Sequence, residues 1–237
     1  MKREFLLIHG GSHGAWCWEA CAAALGEAGH GATALDLPGS GADATPRGSV
    51  SVLDYVDAVC QRIEESPARE VSLVGHSLAG VILPEIASRL PGRVRDVTFL
   101  AALVLEVGEC ALDHIPESRR GVYLELAEAS EDGAFMVSYE MARSRFFEDL
   151  PETAARRYYD LLSPQPISIY LERAVVGPES ITVPHRYIAC LRDSALGYES
   201  TLQFGRRLGG AIEEIDSGHD VMLSAPKELA RLVAVGD

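Results

Sequence analysis

The sequence is short of positive charge, because its 21 lysines and arginines face 35 acidic residues and leave a formal net charge of −14. A surface of that sign repels polyanions, so neither nucleic acid nor an anionic membrane is expected as a partner. Apolar runs never approach the roughly 18 residues of a membrane-spanning helix, so none is predicted. The N-terminal stretch has no apolar segment and cleavage site of the kind that a signal peptide needs, so a cytoplasmic location is expected.

Cysteine is also sparse, and the pattern of the few cysteines favours neither disulfides nor metal. Their number is odd and they lie mostly in apolar segments, which is typical of reduced, buried thiols. Two of them are four residues apart, but no histidine or acid joins them, so no metal site is predicted. The glycine-rich stretches do not form a dinucleotide fingerprint, and no cofactor is expected. The five cysteines are Cys17, Cys21, Cys60, Cys110 and Cys190.

Short apolar runs alternate with segments of helical periodicity along most of the chain. This alternation predicts an α/β fold with a mostly parallel sheet of about six strands and helices on both faces. A length of 237 residues suits one such domain. The predicted strands cover residues 5–8, 32–37, 97–102, 185–191 and 211–215, with a further strand that begins at Val71.

The alternation stops between about residues 107 and 180, where helix-forming residues and aromatic side chains accumulate. We predict that residues 107–180 form an inserted helical cap, and that residues 1–106 and 181–237 form the α/β core. The alternative, in which these residues supply only additional core helices, stays open at this point.

One strand-to-helix junction has the pattern of a nucleophile elbow. Gly75 and Ala79 lie two residues before and two residues after Ser77. Such a turn is too sharp for bulk at those positions, and it leaves the serine hydroxyl exposed above the sheet. The strict pattern has glycine at both positions, and alanine is the smallest departure from it. Ser77 is therefore the candidate nucleophile.

A serine hydroxyl needs an adjacent base, and the base needs an orienting acid. Asp193 and His219 follow later predicted strands, and the order Ser77, Asp193, His219 is the order of α/β-hydrolases. Working groups in parallel α/β sheets lie beyond the carboxyl ends of the strands, so the three side chains are expected to meet. Glu106 follows another strand and is the alternative acid.

The loop after the first strand is expected to help bind a developing negative charge. Free backbone N–H groups in such a loop can point at an anion. We assign the N–H groups of Gly11 and Leu78 to the oxyanion hole. The candidate substrate pocket consists of Gly10, Ser12, His13, Phe146 and Phe147.

Several motifs together resemble the plant methylesterase and hydroxynitrile lyase branch of the α/β-hydrolases, with its salicylate-binding esterases and bacterial relatives. The resemblance runs nearly from end to end and is weakest in the predicted cap. It implies the α/β-hydrolase fold and places the family's triad and oxyanion amides on the same residues as above. The motifs are His9-Gly-Gly-Ser-His-Gly-Ala-Trp16, Gly29-His-Gly-Ala-Thr-Ala-Leu-Asp-Leu37, Gly75-His-Ser-Leu-Ala-Gly80, Phe99-Leu-Ala-Ala102, Cys190-Leu-Arg-Asp193 and Gly218-His-Asp-Val-Met-Leu223.

Two positions depart from the lyases of that branch. The resemblance places a threonine and a lysine of the lyases at Gly10 and Asp220. A carboxylate beside the site would oppose an anionic leaving group, unless it is a solvated charge that points away. The sequence therefore disfavours lyase activity.

These observations predict a cofactor-free serine hydrolase that acts on a small, largely apolar ester, lactone, thioester or carbamate through an acyl-enzyme. Two alternatives remain. One is a ligand receptor on the same fold with vestigial activity, and the other is a lyase or a cofactor-free oxygenase. The expected partner is a small acyl substrate, and a homodimer is left open.

Overall fold

A parallel sheet forms the centre of the molecule in the computed structural model, which describes residues 2–235. The strands are β1 (Glu4–Ile8), β2 (Gly31–Leu35), β3 (Val71–His76), β4 (Val94–Leu100), β5 (Ala134–Phe135), β6 (Gln165–Pro166), β7 (His185–Cys190) and β8 (Ala211–Ile215). Six of them form the sheet in the order β2-β1-β3-β4-β7-β8, and every neighbouring pair is parallel. The remaining two, β5 and β6, form a short antiparallel ribbon.

Helices connect the strands. The α-helices are α1 (Glu19–Glu27), α2 (Val52–Glu65), α3 (Leu83–Arg89), α4 (Glu117–Glu128), α5 (Tyr139–Arg145), α6 (Glu152–Tyr159), α7 (Ser168–Leu171), α8 (Tyr198–Leu208), α9 (Val221–Ser224) and α10 (Pro226–Ala234). Short 3-10 helices cover Ala15–Trp18, Arg47–Ser49, Ser77–Val81, Ala111–His114 and Pro178–Ser180. None of the helices within residues 2–235 has the length and apolar character needed to cross a bilayer.

Strand β3 shows why the sheet is covered on both sides. All six of its residues are buried, and successive side chains point to opposite faces. Leu73 packs into the core formed with α2, α3 and α8, whereas Val74 packs into the core formed with α1 and α10. A strand buried on both faces is typical of parallel sheets. The predicted fold class is confirmed.

The ends of the elements differ from the predicted ends by a few residues. Strand β4 begins at Val94, three residues before the predicted start. The predicted start was too late because the polar Arg95 and Asp96 interrupt the apolar run. It ends at Leu100, and Ala101 turns the chain with φ +42°. After Ser77 the chain forms a 3-10 turn, Ser77–Val81, before α3 begins at Leu83.

The chain between β4 and β7 adds no strand to the central sheet. It contains α4 to α7 and the β5–β6 ribbon, and it has a buried apolar cluster of its own that includes Tyr123, Phe135 and Phe147. The ribbon is a small difference from the sequence, which had indicated only helices here. The cap of residues 107–180 and the core of residues 1–106 and 181–237 stay predicted divisions.

Candidate active site

Ser77 lies at the carboxyl end of β3 in a sharp turn. Its φ is +53°, in the left-handed region that residues other than glycine rarely adopt. A Cβ atom on Gly75 would lie 2.7 Å from Leu83 Cδ1, and one on Gly80 would overlap the Leu103 carbonyl oxygen. Small residues around the serine thus permit the close packing of strand, turn and helix. Ser77 is half-buried, while its neighbours are buried.

The three residues predicted as a triad form one hydrogen-bonded chain. His219 Nε2 is 2.9 Å from Ser77 Oγ, and His219 Nδ1 is 2.9 Å from Asp193 Oδ2. The other carboxylate oxygen of Asp193 accepts hydrogen bonds from the Ala195 and Leu196 amides at 2.8 and 2.9 Å. Because Nδ1 faces a carboxylate, it carries the proton, and Nε2 is left to accept the serine proton.

The electrostatics of the Asp193–His219 pair favour a carboxylate beside an imidazolium. Burial raises the pKa of Asp193, but the charge and hydrogen bond of His219 and the backbone amides outweigh it and lower that pKa. Burial lowers the pKa of His219, but the charges of Asp193, Asp220 and Glu148 outweigh it and raise that pKa. The arrangement therefore stabilises the imidazolium that forms when the base takes a proton.

Glu106, the alternative acid, lies elsewhere. It is exposed, and it lines an open surface depression of about 640 Å³ together with Val107, Pro178, Glu179 and Arg207. None of the triad residues lines that depression. The geometry brings Asp193 to His219 and leaves Glu106 outside.

The loop after β1 contributes Gly11 to the wall of the cavity over Ser77, next to Leu78. Within the described part of the chain, neither the Gly11 nor the Leu78 N–H donates a hydrogen bond, and both residues line the cavity over Ser77. Ser12 has φ +64°, and its N–H donates to Gln165 Oε1 at 2.9 Å. The loop is therefore held from β6, outside the central sheet.

His13 and Asp220 form a buried pair behind the catalytic residues. His13 Nε2 lies 2.8 Å from Asp220 Oδ2, and His13 Nδ1 lies 2.8 Å from the Gly11 carbonyl oxygen. Both ring nitrogens face acceptors, so the contacts are those of an imidazolium–carboxylate ion pair. The two side chains are 1% and 0% exposed. Asp220 is therefore not a solvated charge: it is buried against His13, and it lies close enough to His219 for its charge to raise the pKa of that histidine.

His9 and His76 are further buried histidines around the site. His9 donates from Nδ1 to the Gly10 carbonyl oxygen at 2.8 Å and accepts from the Leu37 amide at 3.1 Å, as a neutral ring does. Burial lowers the pKa of His9 to about 4. His76 Nε2 donates to the His219 carbonyl oxygen at 3.1 Å. Both histidines brace backbone segments of the site.

His76, His219 and Asp220 offer ligand atoms within 4.8 Å of one another, which raises the question of a metal ion. Both nitrogens of His219 are already engaged, one with Asp193 and the other with Ser77. The group therefore lacks the third free ligand that a zinc-type site needs.

Two acidic residues between α5 and α6 hold the loop that carries His219. Asp149 Oδ2 accepts from the Gly218 amide at 2.7 Å, and Glu148 Oε1 accepts from the His219 amide at 3.2 Å. A Cβ atom on Gly218 would lie 2.8 Å from Glu148 Oε1, so glycine permits this approach. Neither acid is predictable from the sequence, because a contact across about 70 positions leaves no local signal.

A narrow cavity of about 20 Å³ lies over Ser77. Of the five predicted pocket residues, only Phe146 lines it. Ser12, His13 and Phe147 are buried and do not line the cavity. Gly10 lies next to the Cβ atom of Ser77. The cavity is lined by Gly11, Ser77, Leu78, Leu103, Ile115, Arg145, Phe146, Tyr170, Ala195 and Leu196. Arg145 is a wall residue that the sequence did not predict, although it directly precedes Phe146 and Phe147 in the chain.

Comparison with known proteins identifies the family. A family model described as "Alpha/beta hydrolase family" matches residues 5–232. The chain belongs to the alpha/beta hydrolase family. It is 27% identical to Methylesterase 18 of Arabidopsis thaliana over 250 residues, which cover 96% of this chain and 94% of that protein. It is 28% identical to a carbendazim hydrolyzing esterase of a Nocardioides strain over 247 residues, which cover 98% and 99%.

A solved structure supports the same fold. An extracellular alpha/beta-hydrolase from a Paenibacillus species, described as sharing homology with tobacco salicylic acid binding protein 2, superimposes with a TM-score of 0.89. The two chains share 22% identity, and the match covers 98% of each. The predicted family resemblance and the predicted enzyme class, a hydrolase, are confirmed.

Proposed function

We propose that this alpha/beta hydrolase is a serine esterase that cleaves small acyl compounds through a covalent acyl-enzyme on Ser77. The observation that carries the proposal is the chain of two 2.9 Å contacts from Ser77 Oγ through His219 to Asp193. It starts at the strained Ser77, which lines a cavity together with Gly11 and Leu78, and the N–H groups of those two residues donate no hydrogen bond within residues 2–235.

In the proposed reaction, Ser77 Oγ attacks the carbonyl carbon and its proton passes to His219 Nε2. The carbonyl oxygen becomes an oxyanion that the Gly11 and Leu78 amides bind. His219 then gives the proton to the leaving alcohol. Water, deprotonated by His219, attacks the acyl-enzyme and releases the acid. Asp193 holds the imidazole in the required tautomer throughout.

The comparisons and the cavity support a small substrate. Relatives named as a methylesterase and as a carbendazim hydrolyzing esterase make an ester or a carbamate a reasonable first choice. The cavity holds about one water molecule in this conformation. Side chains of its wall must move before an ester can enter, and Phe146 and Tyr170 belong to that wall.

Rapid-mixing kinetics with a p-nitrophenyl ester test the proposal. Wild-type protein is expected to release a burst of nitrophenol, and a fluorophosphonate is expected to label Ser77 alone. Ser77→Ala is expected to lower kcat by up to about 10⁶-fold without unfolding the protein. Ser88→Ala, which changes an exposed serine on α3, is the matched control. Labelling of another residue, or full activity of Ser77→Ala, would overturn the proposal.

We also propose a cytoplasmic location. Its support is that all five cysteines are free thiols, four of them buried, as is usual in a reducing compartment. Cell fractionation of the source organism with an antibody against the protein tests the assignment, and recovery from the medium would refute it.

A further inference from the structure

The wall of the cavity over Ser77 contains a buried guanidinium. Arg145, the last residue of α5, is 8% exposed and lines the same cavity as the serine. Its Cζ atom lies 5.3 Å from the centre of the Phe146 ring, and that ring lies 6.0 Å from the ring of His219. A positive charge therefore lies one aromatic ring away from the catalytic base.

Arg145 has no counter-ion in the described part of the chain. No carboxylate within residues 2–235 comes within ion-pair distance of it. One nitrogen donates to the Tyr123 hydroxyl, and its buried Nε has no hydrogen-bond partner. A buried charge is costly unless it is paired, because burial removes its hydration. The rings of Tyr123 and Phe146 offset only part of this cost.

A second arginine increases the local positive charge. Arg119 on α4 is half-buried and donates to the carbonyl oxygen of Ala195, another residue of the cavity wall. Burial, and after it the charge of Arg145, lowers the pKa of Arg119. The acid nearby, Asp193, is already engaged with His219 and backbone amides. Among residues 2–235 neither arginine forms an ion pair, so this part of a protein of net charge −14 is locally positive.

We propose that Arg145 binds a carboxylate of the substrate, so that the preferred substrates are short esters with a free carboxylate at the other end, such as half-esters of dicarboxylic acids. The inference rests on the proposed esterase activity of Ser77. A guanidinium fork matches the two oxygens of a carboxylate. The rest of the wall, which includes Leu103, Ile115 and Leu196, is apolar and suits the methylene chain between the two ends.

The test compares monoethyl adipate with the amide at its free end, ethyl adipamate, because the two differ in charge and hardly in size. Ethanol release is measured with a coupled alcohol dehydrogenase. Wild-type protein is expected to show a kcat/KM about 10- to 100-fold higher for monoethyl adipate than for ethyl adipamate, because that ratio corresponds to one hydrogen bond between charged groups. Equal values for the two esters would overturn the inference.

Variants assign the preference to one side chain. Arg145→Met is expected to abolish the preference for the carboxylate, whereas Arg145→Lys, which keeps the charge, retains part of it. Arg156→Met is the matched control. It removes an exposed arginine of α6 that pairs with Glu152 on the outside of the protein. Far-ultraviolet circular dichroism checks that each variant is folded. A preference that survives in folded Arg145→Met would refute the role of Arg145.

Binding separates this inference from the proposed function. Calorimetry with Ser77→Ala measures the affinity for monoethyl adipate without turnover, alone and combined with Arg145→Met. If the half-ester binds and Arg145→Met lowers the affinity about 10-fold or more, the anion site stands even if no ester is hydrolysed. If esters are hydrolysed but the carboxylate gives no advantage in rate or affinity, the esterase stands and the anion site is refuted.

Discussion

Replacing Asp220 by asparagine tests the buried His13–Asp220 pair without changing the size of the side chain. The pair joins two segments of the site, because His13 also donates to the Gly11 carbonyl oxygen in the predicted oxyanion loop. An asparagine oxygen can still accept from His13 Nε2, but the charge that stabilises the imidazolium is lost. The substitution therefore removes the charge attraction across the 2.8 Å contact and can leave its hydrogen bond in place.

The structure sets the size of the expected effect. Two unit charges at the 2.8 Å contact between His13 Nε2 and Asp220 Oδ2 attract by about 5–6 kcal/mol at an effective dielectric constant of about 20. Desolvation of both groups offsets part of this. Removing one partner of a buried pair costs about 3–5 kcal/mol, and the asparagine oxygen, which can keep the hydrogen bond, favours the lower end. We expect a loss of about 3 kcal/mol in the free energy of unfolding, or about 6–12 °C in Tm for a chain of this size.

The same variant should change the pH dependence of catalysis. Burial lowers the pKa of His219, but the carboxylates of Asp193, Asp220 and Glu148 raise it more. The base must be neutral, so kcat/KM falls as the pH falls through this pKa. Asp220→Asn removes one of the charges that raise the pKa, so the acid limb of the profile should move to lower pH.

Thermal unfolding and a kcat/KM profile from acid to neutral pH measure both effects on one preparation. Asp216→Asn is the control, because Asp216 lies on the same loop but is exposed and paired with Arg192. It should leave Tm and the acid limb nearly unchanged. If Asp220→Asn behaves like Asp216→Asn in both assays, the His13–Asp220 pair neither stabilises the loop nor acts on His219.

Three further substitutions test the candidate site. Asp193→Asn should lower kcat by about 10³-fold or more, because His219 is no longer held in the required tautomer, whereas Glu106→Gln should change kcat little. Both variants are assayed on the same ester. A larger loss for Glu106→Gln would make Glu106 the catalytic acid. Gly10→Ala should lower kcat by about 10²-fold, because its Cβ would lie 2.8 Å from Ser77 Cβ and displace the nucleophile. The kcat and the Tm of this variant are measured together. An unchanged kcat would show that the loop can accommodate the additional methyl group.

The sheet and the three central side chains could be predicted because local patterns determine them. Apolar runs such as that of β3 identify buried strands, and the groups that follow parallel strands share one edge of the sheet. The small residues around Ser77 mark a turn that few other sequences tolerate. Ser77, Asp193 and His219 thus lie where strand order and turn chemistry place them.

The surroundings of the triad could not be predicted because they depend on packing between distant segments. His13 and Asp220 are 207 positions apart, and nothing in either local sequence indicates the pair. Arg145 belongs to a helix rich in charged residues, and its composition does not reveal which arginine turns inward. The pocket assignment failed for a related reason, since Phe147 differs from Phe146 only in the direction of its side chain.

The contacts of Glu148 and Asp149 with the His219 loop have a consequence for the timing of catalysis. Both acids directly follow Phe146 and Phe147, so a movement of this segment that widens the cavity also pulls on the amides of Gly218 and His219. The entry of substrate and the alignment of His219 thus depend on the same short segment, residues 146–149. If residues 146–149 move together when a substrate enters, the hydrogen bonds that hold the His219 loop are disturbed until the segment returns.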